Sequence, residues 1–324
     1  MFVSVGARFE ANVEALNMVE TAGNYSKHRR VPYIVEDKGA IKIIYVPAVS
    51  GESIAHAFQE LLAEEAAAEN QKVCRKCARG EFLKSMDEEN AAEKFEDKKT
   101  PSVAEEIEKG IVKNCTVEDV GGFLYAGKPP VKRTSSFQVS YALPIKKMAV
   151  YSTVEPQLHA RHAIIAKVEE KKREVGTAAE QMLYYVETGT AIYAFTLNID
   201  LKAIGISAIT GNLLISEDEV KARRRSTIRS LARMLSSGQF GAKLSRFLPL
   251  GGIISLVASV TEKPFTITSP IYDGFEDNTM KRLEKIAREF NEEYRYFVMG
   301  REGLDTPEHV MTQLLQYLKS RDIV

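Results

Sequence analysis

The chain has no tryptophan and only three cysteines in 324 residues. Three thiols are too few, and too odd in number, for the disulfide framework of a small secreted domain. Long apolar runs are missing as well. The longest uncharged stretch, Phe247 to Thr261, falls short of the ~20 residues that span a bilayer, so no membrane association is expected. The opening MFVSVGARFE lacks a basic start followed by an apolar run, and no signal peptide is expected. Net charge is absent too, since 44 Lys and Arg balance 44 Asp and Glu. That argues against a surface basic throughout and leaves room for a local basic groove. There is no phosphate loop, nucleophile elbow or Rossmann fingerprint. A soluble, cytoplasmic protein with no cofactor is therefore the expectation.

What is present has clear periodicity. Val3, Val5, Ala7, Phe9, Ala11, Val13 and Ala15 alternate with Ser4, Gly6, Arg8, Glu10, Asn12 and Glu14, which predicts a long, half-buried strand. Helical spacing follows at Ile54, Phe58, Leu61 and Leu62. Residues 60–109 hold fourteen acids against nine bases and read as a helical insertion with a weakly held tip near SMDEENAAEKFEDKKTP. Strands are predicted near FQVSYALP, KMAVYST, QMLYYVETGTAIYAFTLNI and IISLVASV, with a polar interruption from about Glu155 to Ala179. The C-terminus reads helix, strand, helix. Stripped of insertions, the order matches an α+β, ferredoxin-like core, β-α-β-β-α-β, built from residues 1–59, 110–150 and 181–324.

The stretch KARRRSTIRSLARM, residues 221–234, carries six cations and no anion. Ser216 and Glu219 form a capping box before it, and Gly238 is a C-terminal stop. Val220, Ile228, Leu231 and Leu235 mark an apolar stripe. Lys221, Arg225, Arg229 and Arg233 follow at steps of four beside it. From Lys221 to Arg246 there are eight bases and no acid, and Lys243 and Arg246 lie in the Gly-containing loop after the helix. A solvated face is the ordinary explanation of such a run. The absence of acids at i,i+4 and the preponderance of planar guanidiniums favour a polyanion partner instead.

A second polar cluster, EALNMVETAGNYSKHRRVP, gathers Asn17, Asn24, Lys27, His28, Arg29 and Arg30 after the first strand. Asn offers donors and acceptors for phosphate, sugar or base edges. Ser50, Gly51 and Ser53 then open a helix whose first N–H groups could receive an anion, or simply cap it. Among candidates for chemistry, His159 and His162 could form a general acid–base pair of a ribonuclease, or a polar loop. Cys74-x-x-Cys77 with Cys115 could supply three zinc ligands without an evident fourth, pair as a disulfide, or stay as buried thiols.

The segments NVEALNMVETAGNYSKHRR, YVPAVSGESIAHAFQE, CRKCARGEFLK, NCTVEDVGGFLYAG and GAKLSRFLPLGG, in this order, resemble the crRNA-binding backbone subunit of archaeal type I-A CRISPR surveillance complexes, the DevR-type branch of the RAMP superfamily. The resemblance runs from near residue 1 to at least residue 275. It implies an RRM-like core with a thumb-like insertion, placed here at residues 151–180. It also implies copies assembled helically along one guide RNA, no catalytic step, and as partners crRNA with its target-DNA hybrid, other Cascade subunits and further copies of the chain. On that resemblance Asn17, Asn24, Lys27, His28, Arg29, Arg30, Ser50, Gly51, Ser53, Lys243 and Arg246 line the RNA groove. Lys221, Arg225 and Arg229 are added from the charge pattern alone. Relatives in the superfamily include RNA-processing enzymes, so a repeat-RNA endoribonuclease is the alternative. No RNP-type aromatic motif is present, and Tyr193 and Phe195 read as core, so backbone and groove contacts are expected in place of sheet stacking.

Overall fold

The computed structural model describes residues 1–14, 21–22, 24–37, 39–95, 99–161, 182–241 and 252–324. Strand β1 (Phe2–Val13) leads through the short β2 (Thr21–Ala22) and β3 (Tyr25–Ser26) to a hairpin of β4 (Arg30–Asp37) and β5 (Ala40–Pro47). Helix α1 (Gly51–Ala68) follows, then α2 (Glu88–Ala92), α3 (Ala104–Asn114) and α4 (Thr116–Gly121). The short strands β6 (Phe123–Tyr125), β7 (Val131–Arg133), β8 (Phe137–Val139) and β9 (Leu143–Pro144) precede the long hairpin of β10 (Thr153–Arg161) and β11 (Met182–Asp200). The chain ends with α5 (Glu217–Ser237), β12 (Ile253–Thr261), α6 (Phe275–Phe290), β13 (Tyr294–Val298) and α7 (Pro307–Ser320). The fold is mixed α+β.

One sheet organises the molecule, with the path β13-β12-β1-β11-β3-β2 and with β8, β9 and β10 also paired to β11. β1 lies at its centre, antiparallel to β11 from Phe2↔Asp200 to Val13↔Gly189 and to β12 from Phe2↔Thr261. The alternating apolar residues of β1 face α1 and α5, where Phe9 stacks on Tyr193 (5.6 Å) and meets Phe240 (4.6 Å). Each such fully buried ring stabilises the fold by about 1.5–3 kcal/mol relative to exposure. Tyr193 and Phe195 are core residues, 0% and 1% exposed, as the sequence predicts.

The opposite face of β1 corrects the expectation of a half-buried strand. Ser4 and Asn12 are fully buried. Ser4 Oγ donates to Asn198 Oδ1 (2.6 Å) and accepts from Ile267 N (3.1 Å), while Arg8 donates to the carbonyls of Pro270 and Tyr272, both at 2.6 Å. The stretch after β12 covers this face so closely that a Cβ at Gly6 would lie 2.2 Å from Ile267 Cδ1. Ser4 and Arg8 therefore bind chain, while Glu10 stays exposed.

Two further elements differ from expectation. KMAVYST instead contributes to a 3-10 turn, Lys146–Tyr151, of which only Ala149 is buried, between β9 and β10, which both run antiparallel to β11. The polar interruption begins as β10, paired with Met182–Thr190 of β11, which runs past the end of β1 and there pairs with β3 on its other edge. The rest of the expected thumb, 162–180, lies outside the described residues. In the insertion, Ser85, Asn90, Lys94 and Phe95 are buried, so this part of the tip is held by packing. Among the described residues no helix is long and apolar enough to cross a membrane.

Candidate nucleic-acid interface

Helix α5 forms as its ends dictate. Ser216 Oγ accepts from Glu219 N (3.3 Å), and Gly238 closes the helix at φ 66°. The six cations of the basic stretch all find partners within the chain. Lys221 Nζ meets Asp322 Oδ2 at 2.6 Å. Arg223 is fully buried and binds Asp119 Oδ2 (2.9 Å), Glu219 Oε1 (2.5 Å) and the Val112 carbonyl (2.8 Å). Arg224 donates to the Leu201 carbonyl (2.7 Å). Arg225 pairs with Glu69 (2.8 Å), Arg229 with Glu69 (2.7 Å) and Glu65 (3.0 Å), and Arg233 with Glu65. The inference from uncompensated charge is thus corrected for Lys221, Arg225 and Arg229. Their acids are absent from α5 because they stand on α1 and at the C-terminus. Burial pushes the Glu69 carboxyl up, and the adjoining Arg225 and Arg229 outweigh it and hold it below its ordinary value.

The turn cluster is arranged by a residue that the sequence reading did not single out. Glu187 of β11 is 8% exposed and accepts from Tyr25 Oη (2.9 Å), His28 N (2.9 Å) and Arg30 Nη2 (3.2 Å). Tyr185 N donates to the Asn24 carbonyl (2.8 Å), and Tyr25 stacks on Tyr185 at 5.7 Å. With the backbone pinned inward, Asn24, Lys27 and Arg30 are exposed and Arg29 is half-buried, its guanidinium 5.9 Å from the Tyr141 ring. A buried carboxylate between alternating polar and aromatic residues gives no periodic signal, so Glu187 had none to offer.

His28 departs from the expected groove contact. It is 4% exposed, its ring against Gly189, where a Cβ would lie 2.6 Å from His28 Nε2. Among the described residues neither ring nitrogen has a hydrogen-bond partner. Burial lowers its pKa to about 4, against the attraction of Glu187. The folded pKa is depressed below the unfolded value near 6.5, so the unfolded chain binds the extra proton first. His28 should then contribute stability that is complete above pH 6.5 and lost on acidification toward pH 4. The loss is about 3 kcal/mol at most, from about 1.4 kcal/mol per pKa unit. Urea midpoints measured from pH 7 to pH 4 should show this slope in the wild type and a flatter one in His28→Gln. Parallel curves would remove His28 as its source.

At α1, capping is the observed role of two of the three predicted residues. Ser50 Oγ accepts from Ser53 N (3.2 Å) and lies 3.1 Å from Ser53 Oγ, both buried. Gly51 is required by closeness, since a Cβ there would lie 2.9 Å from the Val139 carbonyl oxygen. Gly241, at φ 71°, sits against the same turn, where a Cβ would lie 2.0 Å from the Ser53 carbonyl oxygen. Gly241, the last described residue before Lys243 and Arg246, therefore lies at the start of α1. The Arg29 carbonyl accepts from Ala48 N (3.0 Å), which brings the turn cluster to the same place. Asn17, Lys243 and Arg246 themselves lie outside the described residues.

His159 stacks on Tyr184, its partner across β10 and β11, at 5.0 Å, and His162 lies outside the described residues. The three cysteines are buried together with Glu118, which is the fourth candidate ligand that spacing alone concealed.

These features define a mixed α+β subunit with a cationic turn beside a helix start. The family model for the CRISPR-associated negative auto-regulator DevR/Csa2 matches residues 5–280, and the chain belongs to this family. It is 33% identical over 315 residues to the CRISPR-associated aCascade subunit Cas7/Csa2 2 of Saccharolobus solfataricus, covering 95% of each chain. It is 35% identical over 319 residues to CRISPR-associated protein Cas7/Csa2 1 of the same organism, covering 96% of this chain and 97% of the relative. CRISPR-associated protein Cas7/Cst2/DevR of Methanocaldococcus jannaschii is 29% identical over 333 residues, covering 98% and 100%. A solved chain of a CRISPR RNA-guided surveillance complex overlaps 98% of this chain and 99% of its own length, with 11% identity and a TM-score of 0.47.

Proposed function

We propose that the chain is a non-catalytic scaffold that coats guide RNA as successive copies in a cytoplasmic CRISPR effector complex, together with other subunits and, once a target is found, the RNA–DNA hybrid. The observation that carries this reading is the convergence of Asn24, Lys27 and Arg29 with the start of α1 and with Gly241, which precedes Lys243 and Arg246 in the sequence. Backbone N–H groups of a helix start and flanking cations hold phosphates without reading bases. The acid Glu52 in the first turn favours placing the phosphates on the cationic turn side. An RRM-like core is part of the proposal. It is supported by the antiparallel order β12-β1-β11-β8 with α1 and α5 on one face. The other face is closed by the stretch after β12, which favours groove contacts over base stacking.

The surface for neighbouring copies in this reading is the β4–β5 hairpin. One face, with Tyr33, Val35 and Val46, packs inward. The other presents Ile34, Ile41, Ile43 and Tyr45, 59–79% exposed. A contiguous apolar face of this kind marks an interaction site, and overall neutrality lets copies pack without mutual repulsion.

The test is light scattering of the protein on guide-like RNAs of increasing length. Mass should rise in steps of one subunit per fixed increment of nucleotides. Lys27→Ala with Arg29→Ala should weaken every RNA alike and reduce the salt slope by roughly 0.7 per phosphate no longer neutralised, with an unchanged melting temperature. Ile41→Asp with Ile43→Asp should bind RNA but fail to build steps. One copy on every RNA would refute the scaffold, and a defined cut abolished in His159→Ala with His162→Ala would establish the endoribonuclease instead.

A further inference from the structure

We propose that Cys74, Cys77, Cys115 and Glu118 bind a structural zinc ion. Their ligand atoms, three sulfurs and a carboxylate oxygen, all lie within 4.8 Å of one another, and all four residues are buried. Cys74 Sγ is 3.6 Å from Glu118 Oε1. A tetrahedral zinc with Zn–S bonds of about 2.3 Å spaces its ligands by roughly 3.8 Å, so the cluster needs only a small contraction. Thiolates select zinc over magnesium or calcium, which take oxygen ligands.

The backbone is shaped for such a site. Ala78 N donates to the Cys74 carbonyl (2.9 Å) and Gly80 N to the Cys77 carbonyl (3.1 Å), which folds the C-x-x-C into a tight knuckle closed by Gly80 at φ 74°. Cys115 and Glu118 come from the junction of α3 and α4, and Thr116 N donates to the Lys72 carbonyl (2.9 Å), tying the two halves together. The second carboxylate oxygen of Glu118 accepts from Ser85 N (3.1 Å) and Ser85 Oγ (2.5 Å), and Lys94 bonds Glu118 Oε1. Partners of this sort orient a ligating carboxylate.

Charge makes the stronger argument. Lys94 is 2% exposed and Lys84, half-buried, donates to the Gly121 carbonyl at 2.7 Å. With neutral thiols, Glu118 is the one acid among the four cluster residues facing these two lysines. A buried cation without a counterion is costly. Three thiolates and Glu118 bring four negative charges, and zinc with the two lysines brings four positive ones. On binding, each thiol releases its proton to solvent and the sulfur lone pair forms the bond to the metal, so no redox step is needed. The ion would join the segment after α1 to α3 and α4, in a region where Ser85, Asn90 and Lys94 occupy the interior in place of apolar side chains.

The experiment uses the full chain, produced with zinc and dialysed, with metal measured by mass spectrometry. About one zinc per chain is expected, in the wild type and in His56→Ala with His309→Ala, which removes exposed imidazoles that could bind metal adventitiously. Cys115→Ser should lose the metal, and Ser85→Ala should weaken it roughly 10–100-fold in competition with a chelator. Cobalt in place of zinc should show intense visible bands and thiolate charge transfer. Because Cys115→Ser could fail to fold, the wild type is also melted with and without a strong chelator, where a lower melting temperature is expected. A folded wild type holding far less than one zinc, indifferent to chelator, with three free thiols or a disulfide after denaturation, would overturn the assignment.

Discussion

Asp119→Asn is expected to lower stability by about 3–5 kcal/mol, the cost of breaking a buried ion-pair network by removing one of its charges. Asp119 is 0% exposed. Its Oδ1 accepts from Arg133 Nη2 (2.5 Å) and Gly205 N (3.1 Å), and its Oδ2 from Arg223 Nη1 (2.9 Å). Arg133 also binds Glu108 (2.9 Å) and the carbonyls of Ile206 and Ala203, both at 2.7 Å. The network thereby joins α3, α4, α5, β7 and the 203–208 loop in the molecule's interior. An amide keeps the shape of Asp119 but removes the charge that two guanidiniums share, leaving Arg133 to Glu108 and Arg223 to Glu219. Arg223→Met should cost less, because Asp119 keeps Arg133 and an apolar chain replaces a buried cation. Urea unfolding decides the matter: the midpoint should fall most for Asp119→Asn, less for Arg223→Met, and hardly at all for the exposed Glu106→Gln. A loss under about 1 kcal/mol for Asp119→Asn would show that the network is dispensable.

Arg223 also shows where reading a sequence stops. Its neighbours in KARRRSTIRSLARM are chemically alike, yet Arg223 is 0% exposed and Arg233 has a side chain 61% exposed. Helix α5 was legible to its caps because Ser216, Glu219 and Gly238 act on their own turns. β1, β11 and β12 were legible because alternation is local too, and the family resemblance rests on short segments kept in order. What was not legible depends on distant partners. Glu65 and Glu69 stand some 160 residues before the arginines they meet. Glu187 reaches back to Tyr25 and His28 across a similar span. Glu118 completes the cysteine cluster from the other side of α3. The buried second face of β1 is likewise a tertiary event, since Ser4, Arg8 and Asn12 are polar residues whose partners arrive from Thr190, Asn198 and residues 267–272.

The second large effect concerns the α1–α5 ladder. Arg225→Glu with Arg229→Glu places two carboxylates against Glu65 and Glu69. Glu65 has a side chain 4% exposed and Glu69 16%, whereas Arg225 and Arg229 are 33% and 43% exposed. Screening on the arginine side puts the cost between that of exposed and buried pairs, about 2–4 kcal/mol. The four-fold exchange, with Glu65→Arg and Glu69→Arg added, should recover most of it, because the helices run antiparallel and each new pair meets at the old position. RNA affinity distinguishes the two roles of these arginines. If they serve packing, the exchanged variant binds RNA with the wild-type salt slope once folded. If they also bind phosphate, the slope falls by roughly 0.7 for each phosphate no longer neutralised, even though stability returns. The depressed pKa of Glu69 adds a sign that can be checked. A carboxyl held below its ordinary value contributes stability that is present at neutral pH and lost as pH falls through the folded-state pKa. The wild type should therefore lose ladder stability on acidification, and Glu69→Gln should show a smaller loss over the same range. Equal acid sensitivity in both proteins would mean that the ladder pairs add nothing to the fold, and the cations of α5 would need a partner outside the chain after all.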